Sequence, residues 1–204
     1  ELFVSLTASA AAILLTRDAA KWRSQRNRLF GAAIILVSLL SLLAPLLLIP
    51  MAIAFRYSND TVWGLGIACV AILPASIAVL YEALFVSSER AEYVTAGTAI
   101  ECLLRVLLSL AVLGMGYGIL ELSLVMGFSR TGLAICYYFM MCRVYEHRWS
   151  FSGPSIWRFF SRWRVFAAEN WMAVVYTSLD VIVLSWLVGE TAVGLYSAAW
   201  RYVQ

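Results

Sequence analysis

Glu101, Arg105, Arg130 and Asp180 each lie well inside a long apolar run of this chain. An ionised side chain at the centre of a bilayer costs roughly 2.5–3.5 kcal/mol on insertion scales, so such groups persist where they face protein or a wet cavity. Glu101 and Arg105 stand four apart with the acid first, the order in which two charges on one helix pair best. Arg130 is about nine residues from either end of its run, ~13 Å deep at helical rise. Asp180 is about eight residues, ~12 Å, from the end of its own run. Two readings of these residues stand side by side. In the first, the arginines line an aqueous cavity and bind an anion, because guanidinium forks match phosphate and pyrophosphate oxygens. In the second, Arg130 pairs with Asp180, and Glu101 with Arg105, to hold helices together without a ligand. Arg17 and Glu82 sit nearer the ends of their runs, within reach of the same cavity; Glu82 and Glu121 also fall close enough to an interface to meet water.

Other chemistry is scarce. His147 is the single histidine, which excludes an HExxH metal site, and there is no Walker loop, dinucleotide fingerprint or nucleophile elbow. The cluster Gly114-Met115-Gly116-Tyr117-Gly118 imitates a Gly-rich loop but interrupts an apolar stretch, and reads as a tight turn. Cys69, Cys102, Cys136 and Cys142 lie in apolar stretches without paired spacing, so neither a disulfide framework nor a metal site is expected. Neither a cofactor nor an enzymatic activity is expected.

The elements that must carry these charges follow from composition. The 204 residues are 63% hydrophobic and 13% charged, with a mean hydropathy of +0.84. A soluble globule is about half apolar and a quarter charged, so the solvent here is lipid. The positive charge is gathered in two short blocks, Arg17–Arg28 and Arg143–Arg164, each between apolar runs. That placement suits a membrane surface and argues against nucleic acid as a partner.

Each crossing needs about 20 apolar residues. Complete spans are expected at Phe30–Phe55, Val62–Val86, Val94–Tyr117, Leu122–Cys142 and Val165–Val188, with Pro45 and Pro50 kinking the first. Val94–Cys142 is too long for one helix and is divided at its glycines. Leu2–Thr16 reads as a span cut at its outer end, about 22 Å long at helical rise. Ala192–Val203 reads as the start of another, so the chain is read as an internal piece of a larger transporter-sized protein. Placing the first, third and fifth loops on the cytoplasmic side puts eleven lysines and arginines inside and one outside, as the positive-inside rule requires. Within the fifth loop, Ser152-Gly153-Pro154 is a helix start. Ile156, Phe159, Phe160 and Trp163 then keep i, i+3, i+4, i+7 spacing opposite Arg158, Ser161 and Arg162. This pattern predicts a helix lying in the headgroup layer, or else an early start of the next span with snorkelling arginines.

The stretch Asp180-Val-Ile-Val-Leu-Ser-Trp-Leu-Val-Gly189-Glu-Thr-Ala-Val-Gly194-Leu-Tyr196-Ser-Ala-Ala199 resembles the seventh helix, outer turn and eighth-helix start of a known family. These are the polysaccharide-type flippases of the multidrug/oligosaccharidyl-lipid/polysaccharide exporter superfamily. Leu15-Thr16-Arg17-Asp18-Ala19-Ala20 is similar to the end of that family's second helix. Ala83-Leu84-Phe85, Glu89-Arg90 and Ile100–Arg105 are similar to its fourth-to-fifth helix region. The collinear resemblance runs over nearly the whole chain, with one departure: Ala167-Ala168-Glu169-Asn170 lacks the proline that many relatives carry near the start of this helix.

The resemblance implies an all-α polytopic membrane protein, an internal fragment of a two-lobed bundle of about 12–14 transmembrane helices. Residues 1–142 would be the remainder of the N-terminal lobe, 143–164 a cytoplasmic linker with its interfacial helix, and 165–204 the start of the C-terminal lobe. It further implies a multi-pass flippase of the bacterial inner membrane, carrying undecaprenyl-pyrophosphate-linked oligosaccharide outward for O-antigen, capsule or exopolysaccharide assembly. A polysaccharide polymerase and a chain-length regulator would be its partners beside the lipid bilayer. Arg17, Arg105 and Arg130 would bind the anionic headgroup, and Glu101 and Asp180 would pair with them or respond to a coupling cation. The alternatives fit the residues less well. A cation-coupled drug antiporter of the same superfamily should show acids outnumbering arginines in its cavity. A membrane-embedded glycan polymerase or ligase should present a large outer loop, whereas the outward loops here are tiny. A purely structural subunit would use the buried charges as helix glue.

Overall fold

The computed structural model describes residues 4–54, 59–144 and 153–188. Among these every regular element is helical, which makes this an all-α chain. Two compact units divide it, Glu1–Ala167 and Ala168–Gln204. A π-helical stretch, Ser5–Ser9, runs into α1 (Ala10–Lys21). A short 3-10 turn, Arg23–Gln25, leads to α2 (Arg26–Ala54), followed by α3 (Asn59–Ser87), α4 (Ala91–Gly114), α5 (Ile119–Val144) and α6 (Gly153–Val188). Four stretches among the described residues are long and apolar enough to cross a membrane: Arg23–Ala54, Trp63–Ser87, Ala91–Gly114 and Glu121–Arg143. The apolar stretch 94–142 is indeed two helices, broken where the glycines stand. Gly116 takes a φ of +78° there, and the Tyr117 N–H donates to the Val112 carbonyl at 3.2 Å, closing the end of α4.

α3 is the hub, packed against α1, α2, α4 and α5. Lipid offers no hydrophobic drive between helices, so close contact depends on small side chains and shape. Ala10, Ala11, Ala19 on α1 and Ala75, Ala78, Ala83 on α3 are buried. The Thr16 hydroxyl lies 3.4 Å from the Ala83 carbonyl across that contact. Aromatic rings fill the rest: Phe30 of α2 lies 5.1 Å from Tyr81 of α3, centroid to centroid, and Phe85 sits between Tyr93 of α4 and Tyr137 of α5. Ile100, Leu103, Leu107 and Leu110 of α4 stay exposed, as expected of a helix with a face toward acyl chains.

The odd-numbered loops share one end of the bundle, as the charge alternation requires. The Arg26 guanidinium donates to the Ser88 hydroxyl at 2.9 Å, and Arg162 donates to Asp18 at 3.0 Å. These contacts bring the first loop to the third and to the start of α6.

Of the two readings of the segment up to Arg164, an interfacial helix or an early start of the following helix, α6 has the second. It is one unbroken helix from Gly153 to Val188, because no glycine or proline follows Pro154 within it. Its amphipathic start faces as the spacing predicts, with Arg158 and Arg162 exposed. Its apolar stripe, however, is buried in protein: Phe159, Trp163 and Ala167 belong to the core formed by α1, α2, α3 and α5. Residues 145–152 and 189–204 lie outside the described set.

Tyr137 reaches its place only because α4 offers a glycine opposite. A Cβ built on Gly97 would collide with Tyr137 Cε1. Gly97→Ala is therefore expected to cost about 1–3 kcal/mol through overpacking. The cost is read from unfolding in detergent, and the companion change Tyr137→Leu should recover part of it; an unchanged midpoint for Gly97→Ala would show that the ring moves aside freely.

Candidate functional site

The charged residues meet where α4 and α5 cross. Glu101 follows Gly97 by one helical turn on the same face of α4, and both are buried. Arg130 precedes Leu133, Ala134, Tyr137 and Met141 on one stripe of α5, and those four are buried as well. The Arg105 Nη1 lies 3.4 Å and the Arg130 Nε 3.9 Å from the same oxygen, Oε1 of Glu101. The Glu101 side chain is 5% exposed, and those of Arg105 and Arg130 are 29% and 27% exposed. Neither contact has hydrogen-bond geometry, and Glu101 Oε1 has no hydrogen-bond donor in the structure. The cluster is an ionic one, held by charge at distances longer than the 2.7–2.9 Å of charge-assisted hydrogen bonds.

Arg130 also lines a cavity of about 310 Å³ between α3, α5 and the stretch preceding α1. Its walls come from Val4 and Ser9, from Ala68, Ala71 and Ala75, and from Ser123 and Gly127 among others. The space exists because small residues of α3 and α5 face one another there. Beside it, Ser5–Ser9 is π-helical, a deviation that recurs near functional sites. Among the described residues Arg130 is the one charged residue in this lining. The arrangement can present a guanidinium, steadied by a carboxylate on a neighbouring helix, to an anion entering the cavity.

The structure thus gathers three of the five residues singled out in the sequence. Glu101 and Arg105 pair within α4 as their spacing predicts. Arg130 meets Glu101; the side chain of Asp180, its expected partner in the alternative reading, is outside the described set, although Asp180 itself lies on α6. Arg17 stands apart from the cluster. It is exposed near the basic end of α1, its guanidinium 5.8 Å from the ring centroid of Phe166, and it lies about 12 Å beyond Ser9 at helical rise.

Two polar contacts were not foreseen. Glu82, expected to be solvated, is half-buried on α3 with its Oε1 3.3 Å from the Tyr137 hydroxyl, which also lies 3.1 Å from the Val94 carbonyl. The phenol has one proton and donates to one of these at a time. Its position seven residues after Arg130 was the available signal. Asp18 is the other case: the lone acid of the first basic block is buried and binds Arg162. Glu121, also expected near water, accepts from the Gly118 N–H at 2.9 Å and closes the turn before α5.

A helical membrane bundle with a guanidinium-lined cavity is the class that fold and site define. Over residues 1–204 the chain matches the family described as polysaccharide biosynthesis protein, and it belongs to that family. No curated protein and no solved structure matches it. The chain is a multi-pass membrane protein of polysaccharide biosynthesis.

The shared carboxylate makes a thermodynamic prediction. Glu101→Gln and Arg130→Gln, measured singly and together by unfolding in detergent, should couple by more than ~0.5 kcal/mol, while Glu101→Gln and Arg17→Gln should add within that margin. Additivity in both pairs would dissolve the cluster as an energetic unit.

Proposed function

We propose that this protein is a flippase that carries undecaprenyl-pyrophosphate-linked oligosaccharide across the bacterial inner membrane by alternating access. The cargo would serve O-antigen, capsule or exopolysaccharide assembly. The observation that supports this best is Arg130 lining a cavity inside the bundle, with Glu101 behind it. Membership of a polysaccharide biosynthesis family supports a saccharide cargo, and the guanidinium supports an anionic anchor on that cargo.

In this reading Glu101 is a stand-in anion. It offsets one of the two positive charges of Arg105 and Arg130 before the cargo arrives, because an unanswered charge in a poorly solvated site is costly. The contacts of 3.4 and 3.9 Å are loose enough to be exchanged. A pyrophosphate entering the cavity offers the arginines shorter, bidentate partners and takes them from Glu101. Arg17, at the basic end of α1, meets the headgroup where it enters. Asp180 on α6 remains a residue for pairing or for a coupling cation. Membrane potential is worth about 2.3 kcal/mol per charge per 100 mV, enough to bias the return of a cavity that carries charge. The protein transports and makes or breaks no covalent bond in its cargo, which a polymerase and a chain-length regulator then take up. A drug antiporter is disfavoured, since Glu101 is flanked by two arginines and is not offered to a cation.

Export of surface glycan by the full-length protein tests this. Arg130→Ala should abolish export at normal expression, and Arg130→Lys should retain part of it, because lysine keeps the charge and loses the planar fork. Unchanged export by Arg130→Ala would remove Arg130, and with it the cavity, from the transport path.

A further inference from the structure

A second polar cleft lies at the basic end of the bundle, apart from the Arg130 cavity. It has a volume of about 200 Å³ and is lined by Asp18, Trp22, Gln25, Leu29, Arg158, Phe159 and Arg162. We propose that this cleft holds the phosphate of an anionic phospholipid from the cytoplasmic leaflet.

The charges of the cleft are unequal. Arg158 and Arg162 stand four apart on α6, so they are neighbours on one helix face and repel. Asp18 answers Arg162 at 3.0 Å with its side chain only 7% exposed. Among the described residues it is the only acid in the lining. Arg158 is exposed, with no ion pair among the described residues. The described lining therefore carries one positive charge more than its carboxylate offsets. The arginines are also held in place. Phe159 and Trp163 are buried beneath them, and Asp18 fixes the Arg162 side chain.

The surroundings favour a lipid over a soluble anion. Trp22, half exposed, forms one wall, and Trp157 is exposed one residue before Arg158. Indoles settle at the headgroup level of a bilayer. Lys21, Arg23, Arg26 and Arg28 crowd the same end, and basic clusters at this position attract the anionic lipids of the cytoplasmic leaflet. Leu29 gives the cleft an apolar side. A water occupies roughly 30 Å³ of liquid, so the cleft has room for a phosphodiester with a few waters.

The full-length protein, purified in detergent and titrated with phosphatidylglycerol or phosphatidylcholine, tests this by native mass spectrometry. Wild type should retain phosphatidylglycerol in preference to phosphatidylcholine, and Arg158→Gln should weaken that retention about fivefold, as expected for one surface cation. Arg90→Gln removes an exposed cation at the same end, outside the cleft, and should leave retention unchanged. Millimolar inorganic phosphate should not displace the lipid. Wild-type retention by Arg158→Gln, or equal weakening by Arg90→Gln, would overturn the site. Displacement by phosphate alone would overturn the lipid as its ligand.

Discussion

A guanidinium inside a bilayer must be answered by protein or by water, and one carboxylate oxygen, Oε1 of Glu101, answers two of them. The geometry of α4 and α5 is arranged around that demand. Gly97 and Glu101 lie on one face of α4, and Arg130 and Tyr137 on one stripe of α5. The helices run antiparallel, so Tyr137 over Gly97 places Arg130 opposite Glu101. The steps are unequal: four residues on α4 rise about 6 Å and seven on α5 about 10 Å. The length of the arginine side chain bridges the difference, which a lysine or a glutamine would bridge with fewer donors. The glycine-tyrosine contact thus sets the register in which the ions meet.

The two halves of the bundle are built differently. Toward the basic end, large rings and alanines close the interior: Phe30, Leu80, Leu84, Phe85, Tyr137 and Met141 are fully buried there. Toward the other end, α3 and α5 face each other with Ala68, Ala71, Ala75 and Gly127, and the space left over is the cavity that Arg130 lines. Arg130 sits where the closed half gives way to the open one. Packing alone would fill that space with larger side chains, since voids cost stability. Small residues around a charged group are consistent with the binding role proposed above.

Much of this was legible in the sequence, and the part that was not has a common cause. Spans are written in long runs of apolar residues, because bilayer thickness acts on each segment by itself. The break at Gly114–Gly118 and the Glu101–Arg105 pair are local in the same sense. Arg130 meeting Glu101, Tyr137 meeting Glu82 and Asp18 meeting Arg162 depend on which faces of different helices come together. A single sequence does not carry that information. The continuity of α6 was one of two readings the sequence left open, for another reason. Composition changes sharply near Arg164, but a change from amphipathic to apolar is not a helix breaker, and nothing between Gly153's proline neighbour and Val188 interrupts the hydrogen-bonded ladder.

The two kinds of buried carboxylate in this protein differ in how closely they hold their arginines. Asp18 accepts a hydrogen bond from Arg162 at 3.0 Å, near the length of a charge-assisted bond, and closes the first loop against α6. Glu101 is as deeply buried, yet it touches its arginines at 3.4 and 3.9 Å without hydrogen-bond geometry. Desolvation is charged to both acids alike, so a purely structural Glu101 would be expected to recover it with contacts as short as those of Asp18. It does not. In the proposed transport role, a carboxylate that offsets one of two neighbouring charges without binding either tightly is suited to giving way, and Arg130, which lines the cavity, is the arginine it would yield.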